Sequence, residues 1–182
     1  MNQESLTQLK YSIGKYRPNQ TPSPEEFNEW LTALEQLPHQ VRALTAGLST
    51  AELLYHYRPD GWTIRQVVHH LADSHMNSLI RFKLALTEDA PVIKPYREDR
   101  WAIQPDEVDE PIESSLLILQ GVHSRLVRLL RSLSADDLRR TFVHPEHGKS
   151  FTLVETVGLY AWHGKHHTAH IRQALENKGI FR

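Results

Sequence analysis

The sequence contains no cysteine among its 182 residues. This absence excludes disulfides, thiolate metal ligands and a cysteine nucleophile, and it is typical of a protein from a reducing compartment. A strong metal site in this chain must therefore be built from histidine, aspartate or glutamate.

Neither sign of charge predominates, since 21 Lys and Arg residues face 22 Asp and Glu residues, for a net charge of −1. Without a run of like charge, the sequence lacks the electrostatic pattern of a protein that binds nucleic acid or an anionic membrane. No stretch approaches the roughly 18 apolar residues of a membrane-spanning helix, and the N-terminus lacks the apolar core of a signal peptide. We expect a cytoplasmic protein whose partner is a small molecule or another protein.

The length suffices for one well-buried core and is short for two, so we predict a single domain over residues 1–182. Helical periodicity with N-terminal caps predicts an all-α fold, in which a kink near Pro38 is expected. The four long helices are predicted at 24–44, 64–86, 112–133 and 153–178. Short capped helices are expected at 48–53 and 133–138, an extended arm at 1–22, and a loop or small hairpin at 141–152.

Residues 88–111 form a long connection between the second and third long helices, with four prolines, eight acids and no sustained periodicity. A connection of this length in a compact domain is usually functional, so we interpret it as a lid or a dimer contact. Its side chains Tyr96, Arg97, Arg100 and Trp101 are candidates for contacts with a substrate.

Histidine is abundant, with 12 residues partly concentrated in "HHLADSH" and "HGKHHTAH". His163 and His167 are four residues apart on a predicted helix, so their side chains lie on one face and can bind the same ion. His170 lies seven residues after His163, a rise of roughly 10 Å, so a third ligand must come from another helix. His70 is the candidate rather than His69, because it flanks the apolar stripe of its helix.

Other polar residues are interpreted more simply. Asp73 and His75 are candidate partners of the metal ligands, although a solvated pair is an equal alternative. The five scattered histidines are interpreted as ordinary loop or surface residues: His39, His56, His123, His144 and His147.

Three neutral imidazoles suit Zn²⁺ best, with Ni²⁺ and Fe²⁺ as acceptable alternatives, and they leave a coordination position open for catalysis or binding. A zincin motif would carry glutamate directly after the first histidine, whereas Gly164 follows His163 here. Peptide hydrolysis with such a general base is therefore not expected, and a reaction in which the metal alone activates the nucleophile is favoured.

Two long motifs, "GWTIRQVVHHLADSHMNSLIRFKLALTE" and "LYAWHGKHHTAHI", closely resemble the YfiT-like branch of the DinB superfamily. The likeness extends to "YSIGKYRP" and "PYREDRW", and so covers nearly the whole chain. It implies a homodimeric four-helix bundle with one divalent metal per subunit, held by His70, His163 and His167. Related sequences often carry a histidine where this one has Lys165.

The resemblance implies a metal-dependent hydrolase, in which the metal activates water or a low-molecular-weight thiol for attack on a small electrophile. The alternative within this family is a thiol S-transferase that uses bacillithiol as a co-substrate. A third hypothesis is a non-catalytic dimeric binding module whose metal stabilises the packing of two helices.

Overall fold

The computed structural model describes residues 3–146 and 148–181, which contain nine helices and one hairpin. Four of the helices are long: α2 (Pro24–Thr45), α4 (Ile64–Thr87), α7 (Glu113–Arg131) and α9 (Leu153–Glu176). The five shorter helices are α1 (Gln3–Lys10), α3 (Thr50–Leu53), α5 (Glu98–Trp101), α6 (Pro105–Val108) and α8 (Ala135–Arg139). Strands β1 (Thr141–His144) and β2 (Lys149–Thr152) pair antiparallel.

The four long helices form a bundle in which α2 packs against α7 and α9, and α4 packs against the same two helices. Their apolar stripes enclose two groups of buried side chains, one around Phe82 and Leu126, the other around Val68 and Leu119. The all-α bundle that the sequence predicted is confirmed, with a two-stranded hairpin as its only described sheet. None of the described helices is long and apolar enough to cross a membrane.

Side-chain caps begin the helices where the sequence predicted them. Thr63 and Gln66 form a capping box at the start of α4, and Thr152 and Glu155 form one at the start of α9. Each box satisfies backbone N–H groups that the first turn of a helix leaves without partners. The caps therefore fix the starting points of the two helices that carry the histidine clusters.

One local prediction needs correction. Residues 3–10 form helix α1, so the extended arm predicted over residues 1–22 was wrong in that part. The polar helix buries none of its own side chains, which is why its sequence shows no apolar period, but Gln173 of α9 donates to the carbonyl of Leu9. Helix α2 runs as one helix through Pro38, as the sequence predicted, and the kink expected near Pro38 stays a prediction.

The long connection at 88–111 is attached to helix α4 by hydrogen bonds. Gln66 donates from Nε2 to the carbonyl of Ala102 at 2.6 Å, and Arg65 donates to the carbonyl of Val108. At its start, Ile93 donates its backbone N–H to the carbonyl of Val143 in the hairpin. The segment thus covers one face of α4 and contains the one-turn helices α5 and α6, which its sequence did not reveal.

Candidate metal centre

The structure brings His70, His163 and His167 together, with one potential ligand nitrogen from each lying within 4.8 Å of the others. His70 projects from α4, and the other two histidines lie one turn apart on the neighbouring helix α9. The Nε2 atoms of His70 and His163 are 3.2 Å apart. His163 and His167 thus share a helix face as predicted, and α4 supplies the third imidazole.

All three imidazoles are held in the neutral form that a metal requires. Burial, together with a smaller contribution from the neighbouring His166, lowers the pKa of His70 to about 4. Burial also places the pKa values of His163 and His167 well below the usual range. Because metal ligands must give up their protons, imidazoles that are already neutral bind an ion without competition from protons near pH 7.

The geometry fits a shared divalent ion. Two nitrogens at Zn–N distances near 2.0 Å in a tetrahedral site lie about 3.3 Å apart, close to the observed separation of His70 and His163. The Nδ1 atom of His167 is buried and has no hydrogen-bond partner in the described part of the chain. A nitrogen-only donor set suits Zn²⁺, Ni²⁺ or Fe²⁺ better than a hard ion such as Mg²⁺.

Aromatic rings enclose the triad. The ring of Trp62 lies 4.7 Å from that of His70 and 6.3 Å from that of His167. Tyr160 stands edge-on to His163 at 6.0 Å. These rings pack against the imidazoles and limit their orientations, while His163 remains partly exposed.

Asp73 and His75, the two candidate partners of the ligands, have different surroundings. His75 is fully buried, and its Nε2 atom lies 3.2 Å from Nδ1 of His163. The side chain of Asp73 instead hydrogen-bonds to Glu107 of helix α6, which sequence reasoning did not single out. Burial and the adjacent Asp73 raise the pKa of Glu107 to about 8, so this carboxyl pair holds a proton at neutral pH.

The four candidate side chains of the 88–111 segment line one cavity of about 590 Å³, together with Arg81 and Lys94. Within it the rings of Tyr96 and Trp101 lie 4.7 Å apart. The cavity lining carries four cationic side chains and, among the described residues, no carboxylate. Arg81, one of the lining residues, donates to the hydroxyl of Tyr160, the tyrosine that contacts His163.

The remaining clustered histidines have other partners. His69 is buried against the 88–111 segment, where its ring contacts the hydroxyl of Ser115 and the carbonyl of Glu110. His170 stacks on Tyr57 at 3.8 Å and donates from Nε2 to the carbonyl of Lys10. His166 stacks on Trp162 at 4.5 Å. Their exclusion from the triad agrees with the helical spacing.

His123 was wrongly interpreted as an ordinary loop or surface residue. It is 2% exposed on helix α7, and its Nε2 atom lies 2.9 Å from Nδ1 of His75. Its spacing could have revealed this, because His123 follows Leu119 by four residues and precedes Leu126 by three, within the buried stripe of α7. His147, another of the scattered histidines, lies outside the described residues.

The fold and the site together define the class of this protein, which is a four-helix bundle with a candidate metal site formed by three neutral histidines. Comparison with known proteins identifies the family, since the model of the DinB superfamily matches residues 33–171. The chain belongs to the DinB superfamily.

The relatives agree with this assignment. Proteins of Bacillus cereus strain G9842 and Bacillus thuringiensis subsp. konkukian strain 97-27, each named "Putative metal-dependent hydrolase", are 49% and 48% identical over 166 residues, covering 91% of this chain and 95% of each relative. The solved structure of YfiT from Bacillus subtilis matches with a TM-score of 0.91 at 42% identity, covering 96% of this chain and 99% of that one. YfiT is described as a probable metal-dependent hydrolase with an unusual four-helix bundle topology.

Proposed function

We propose that this protein is a metal-dependent hydrolase in which His70, His163 and His167 bind one divalent ion per subunit. Zn²⁺ is the first candidate, and Ni²⁺ and Fe²⁺ are acceptable to the same ligands. The observation that carries the proposal is the convergence of three neutral imidazoles within 4.8 Å. The names of the Bacillus relatives support the same class of reaction.

The three imidazoles would hold the ion through three neutral donors and leave a position open. When bound, such an ion supplies a Lewis acid that lowers the pKa of a coordinated water or thiol towards neutrality. Trp62 and Tyr160 limit the space around the imidazoles, and the partly exposed edge of His163 defines the side from which a small molecule approaches.

The cationic cavity beneath the 88–111 segment is the proposed place for the rest of the substrate. Arg97, Arg100 and Lys94 line it beside the paired rings of Tyr96 and Trp101. Guanidinium groups bind carboxylates and phosphates through charge-assisted hydrogen bonds, and the aromatic rings provide an apolar surface. We therefore propose a small electrophile that also carries an anionic group.

A thiol S-transferase of the bacillithiol type is the second candidate, and the surroundings of Gly164 favour it. A Cβ atom at this position would lie 2.8 Å from Cδ2 of the buried Leu37. The bundle therefore has no room for the glutamate that activates water in zincins. A thiol requires less help from a base than water does, since its pKa is far lower.

A non-catalytic module is the remaining hypothesis, in which the metal would only stabilise the packing of α4 against α9.

We also propose that the protein is a homodimer with the 88–111 segment at the contact. Val92 and Ile103 of this segment are both 68% exposed, and a second copy packed on the segment would cover their apolar surface.

The test uses protein stripped of metal by a chelator and reloaded with Zn²⁺, Ni²⁺ or Fe²⁺. Each form is incubated with matched pairs of neutral and anionic model esters, with and without bacillithiol, and the products are identified by mass spectrometry. A hydrolase gives a water-derived product only when loaded, and a transferase gives a conjugate only with the thiol. Equal activity of the stripped and loaded forms would contradict both.

Variants separate the remaining possibilities. His70→Ala should abolish turnover, with the exposed His39→Ala as the matched control. Arg100→Gln should raise KM for the anionic ester of each pair and leave the neutral ester unaffected. If metal raises the melting temperature of the wild-type protein but no substrate is converted, the non-catalytic module is favoured.

A further inference from the structure

A backbone acceptor on helix α2 is left free by a proline. Pro38 has no N–H, so the carbonyl of Leu34, four residues earlier, loses its usual partner within the helix. Nδ1 of His123 on helix α7 lies 2.6 Å from that oxygen. A carbonyl only accepts hydrogen bonds, so Nδ1 of His123 must carry the proton.

The position of the ring proton on His123 determines the position of the ring proton on His75 of helix α4. Burial lowers the pKa of His123 to about 4, so its ring is neutral near pH 7 and its Nε2 atom has a lone pair. Nδ1 of His75 lies 2.9 Å from this atom. His75 must therefore donate from Nδ1, which leaves the lone pair of its own Nε2 atom directed away from His123.

The last hydrogen bond of the chain joins His75 to His163 of the candidate metal centre. Nε2 of His75 lies 3.2 Å from Nδ1 of His163 on helix α9, so His163 donates its Nδ1 proton to His75. A neutral His163 then has its lone pair on Nε2, the atom that lies 3.2 Å from Nε2 of His70. The chain of hydrogen bonds selects the tautomer of His163 that can bind a metal through the nitrogen facing His70.

We propose that His123 and His75 are positioning residues that hold His163 in its metal-binding tautomer, through a chain of hydrogen bonds anchored at the Leu34 carbonyl. This inference rests on the metal site proposed above. Each link joins adjacent helices, so the chain runs from α2 through α7 and α4 to α9 and includes all four long helices of the bundle. The polar partners of metal-ligating histidines generally orient the ring and fix its tautomer.

The proposal is tested first by NMR on protein with ¹⁵N-labelled histidine, both free of metal and loaded with Zn²⁺. Long-range ¹H–¹⁵N correlations distinguish the two tautomers of each ring. We expect the Nδ1–H form for His123, His75 and His163 in both samples, which requires no variant and no enzymatic activity. Finding the Nε2–H form for His75 or His163 in the metal-free wild-type protein would overturn the proposal.

The second test measures Zn²⁺ affinity by competition with a chromophoric chelator. His123→Phe keeps an aromatic ring but removes the acceptor for His75, and we expect the affinity to fall about 10- to 100-fold. His123→Gln offers one donor and one acceptor on a similar frame, and should stay within about threefold of the wild type. His39→Phe on the exposed face of α2 is the control.

The outcomes separate this proposal from the metal site itself. If the wild-type protein binds no Zn²⁺, both the proposed function and this inference fail. If the wild type binds and His123→Phe binds equally well with the same His163 tautomer, the inference alone fails. If His123→Phe does not fold, the test rests on the wild-type protein and on His123→Gln. The proposal is supported if the wild type shows the expected tautomers and His123→Gln retains its Zn²⁺ affinity. It is contradicted if His163 carries its proton on Nε2 in either protein.

Discussion

Nε2 of His70 and Nε2 of His163 approach within 3.2 Å across the interface between α4 and α9. Two ring nitrogens so close together require either a proton or a metal ion between them, because their lone pairs otherwise repel. His167 adds a third imidazole to the same point, and the pKa values of all three are lowered by burial. A shared ion satisfies all three nitrogens at once.

Removal of one imidazole should therefore remove the metal. We predict that His70→Ala lowers the bound Zn²⁺ from about one ion per chain to a small fraction, because two histidines on a single helix turn bind far more weakly than three converging ones. Metal analysis of dialysed protein measures the ratio. His69→Ala is a demanding control, because this adjacent histidine is equally buried but contacts Ser115 and Glu110. Stoichiometric metal in His70→Ala would contradict the assignment.

Acid should destabilise the metal-free protein, in part through His123. The folded pKa of about 4 lies below the usual histidine value of 6.5, so the stabilisation from neutral His123 is complete above pH 6.5 and is lost as the pH falls towards 4. Between pH 7 and pH 5 this single residue should contribute about 2 kcal/mol to the loss of unfolding free energy. Urea denaturation at the two pH values measures it.

In His123→Gln the acid-dependent loss should be smaller by about the same 2 kcal/mol, since glutamine does not titrate. His39→Gln is the matched control, because the exposed His39 should leave the pH dependence unchanged. Equal pH dependence in His123→Gln and the wild type would contradict the pKa assigned to His123.

Helical spacing and caps were sufficient to predict the helices that carry His70, His163 and His167, since these properties are local to the sequence. The choice of His70 over His69 also rested on local information, namely its place beside Val67 and Leu71. The partners of His163 could not be obtained in this way. His75 and His123 meet only because α4 packs on α7, and the Leu34 carbonyl can accept from His123 because Pro38 is accommodated inside α2 without an N–H of its own.

The carboxyl pair of Asp73 and Glu107 was missed for the same reason. Glu107 belongs to a one-turn helix in a segment without periodicity, and its burial arises from the packing of that segment on α4. Acidic residues are common in exposed loops, so nothing in the sequence distinguished Glu107 from the other seven acids of this segment as a buried, protonated carboxyl.

The close packing at Gly164 predicts an intolerance of larger side chains. In Gly164→Ala the new Cβ atom would lie 2.8 Å from Cδ2 of Leu37, which is 2% exposed and has little room to move. Overpacking of a core costs about 1–3 kcal/mol, more than alanine gains over glycine as a helix former. Gly164→Ala should lower the unfolding free energy in urea.

Gly121→Ala provides the matched control for this substitution. Gly121 also lies inside a long helix, but a Cβ atom there meets nothing within 4 Å. This variant should gain up to about 1 kcal/mol from helix propensity. If Gly164→Ala were as stable as Gly121→Ala, the backbone of α9 would not be held against Leu37 as closely as the structure indicates.

The carboxyl pair should make the protein less stable at alkaline pH. The folded pKa of Glu107, raised to about 8 by burial and by Asp73, lies above the usual glutamate value of 4.5. Stability associated with the protonated form is therefore complete below pH 4.5 and is lost as the pH rises through 8, when both carboxylates must be charged.

Glu107→Gln keeps the shape and a hydrogen-bond donor without titrating, so it should be progressively more stable than the wild type between pH 5 and pH 9. We expect the difference at pH 9 to exceed about 1 kcal/mol in urea denaturation. The exposed Glu110→Gln, three residues away, should show no such trend, and a pH-independent difference for Glu107→Gln would mean that Asp73 and Glu107 do not share a proton.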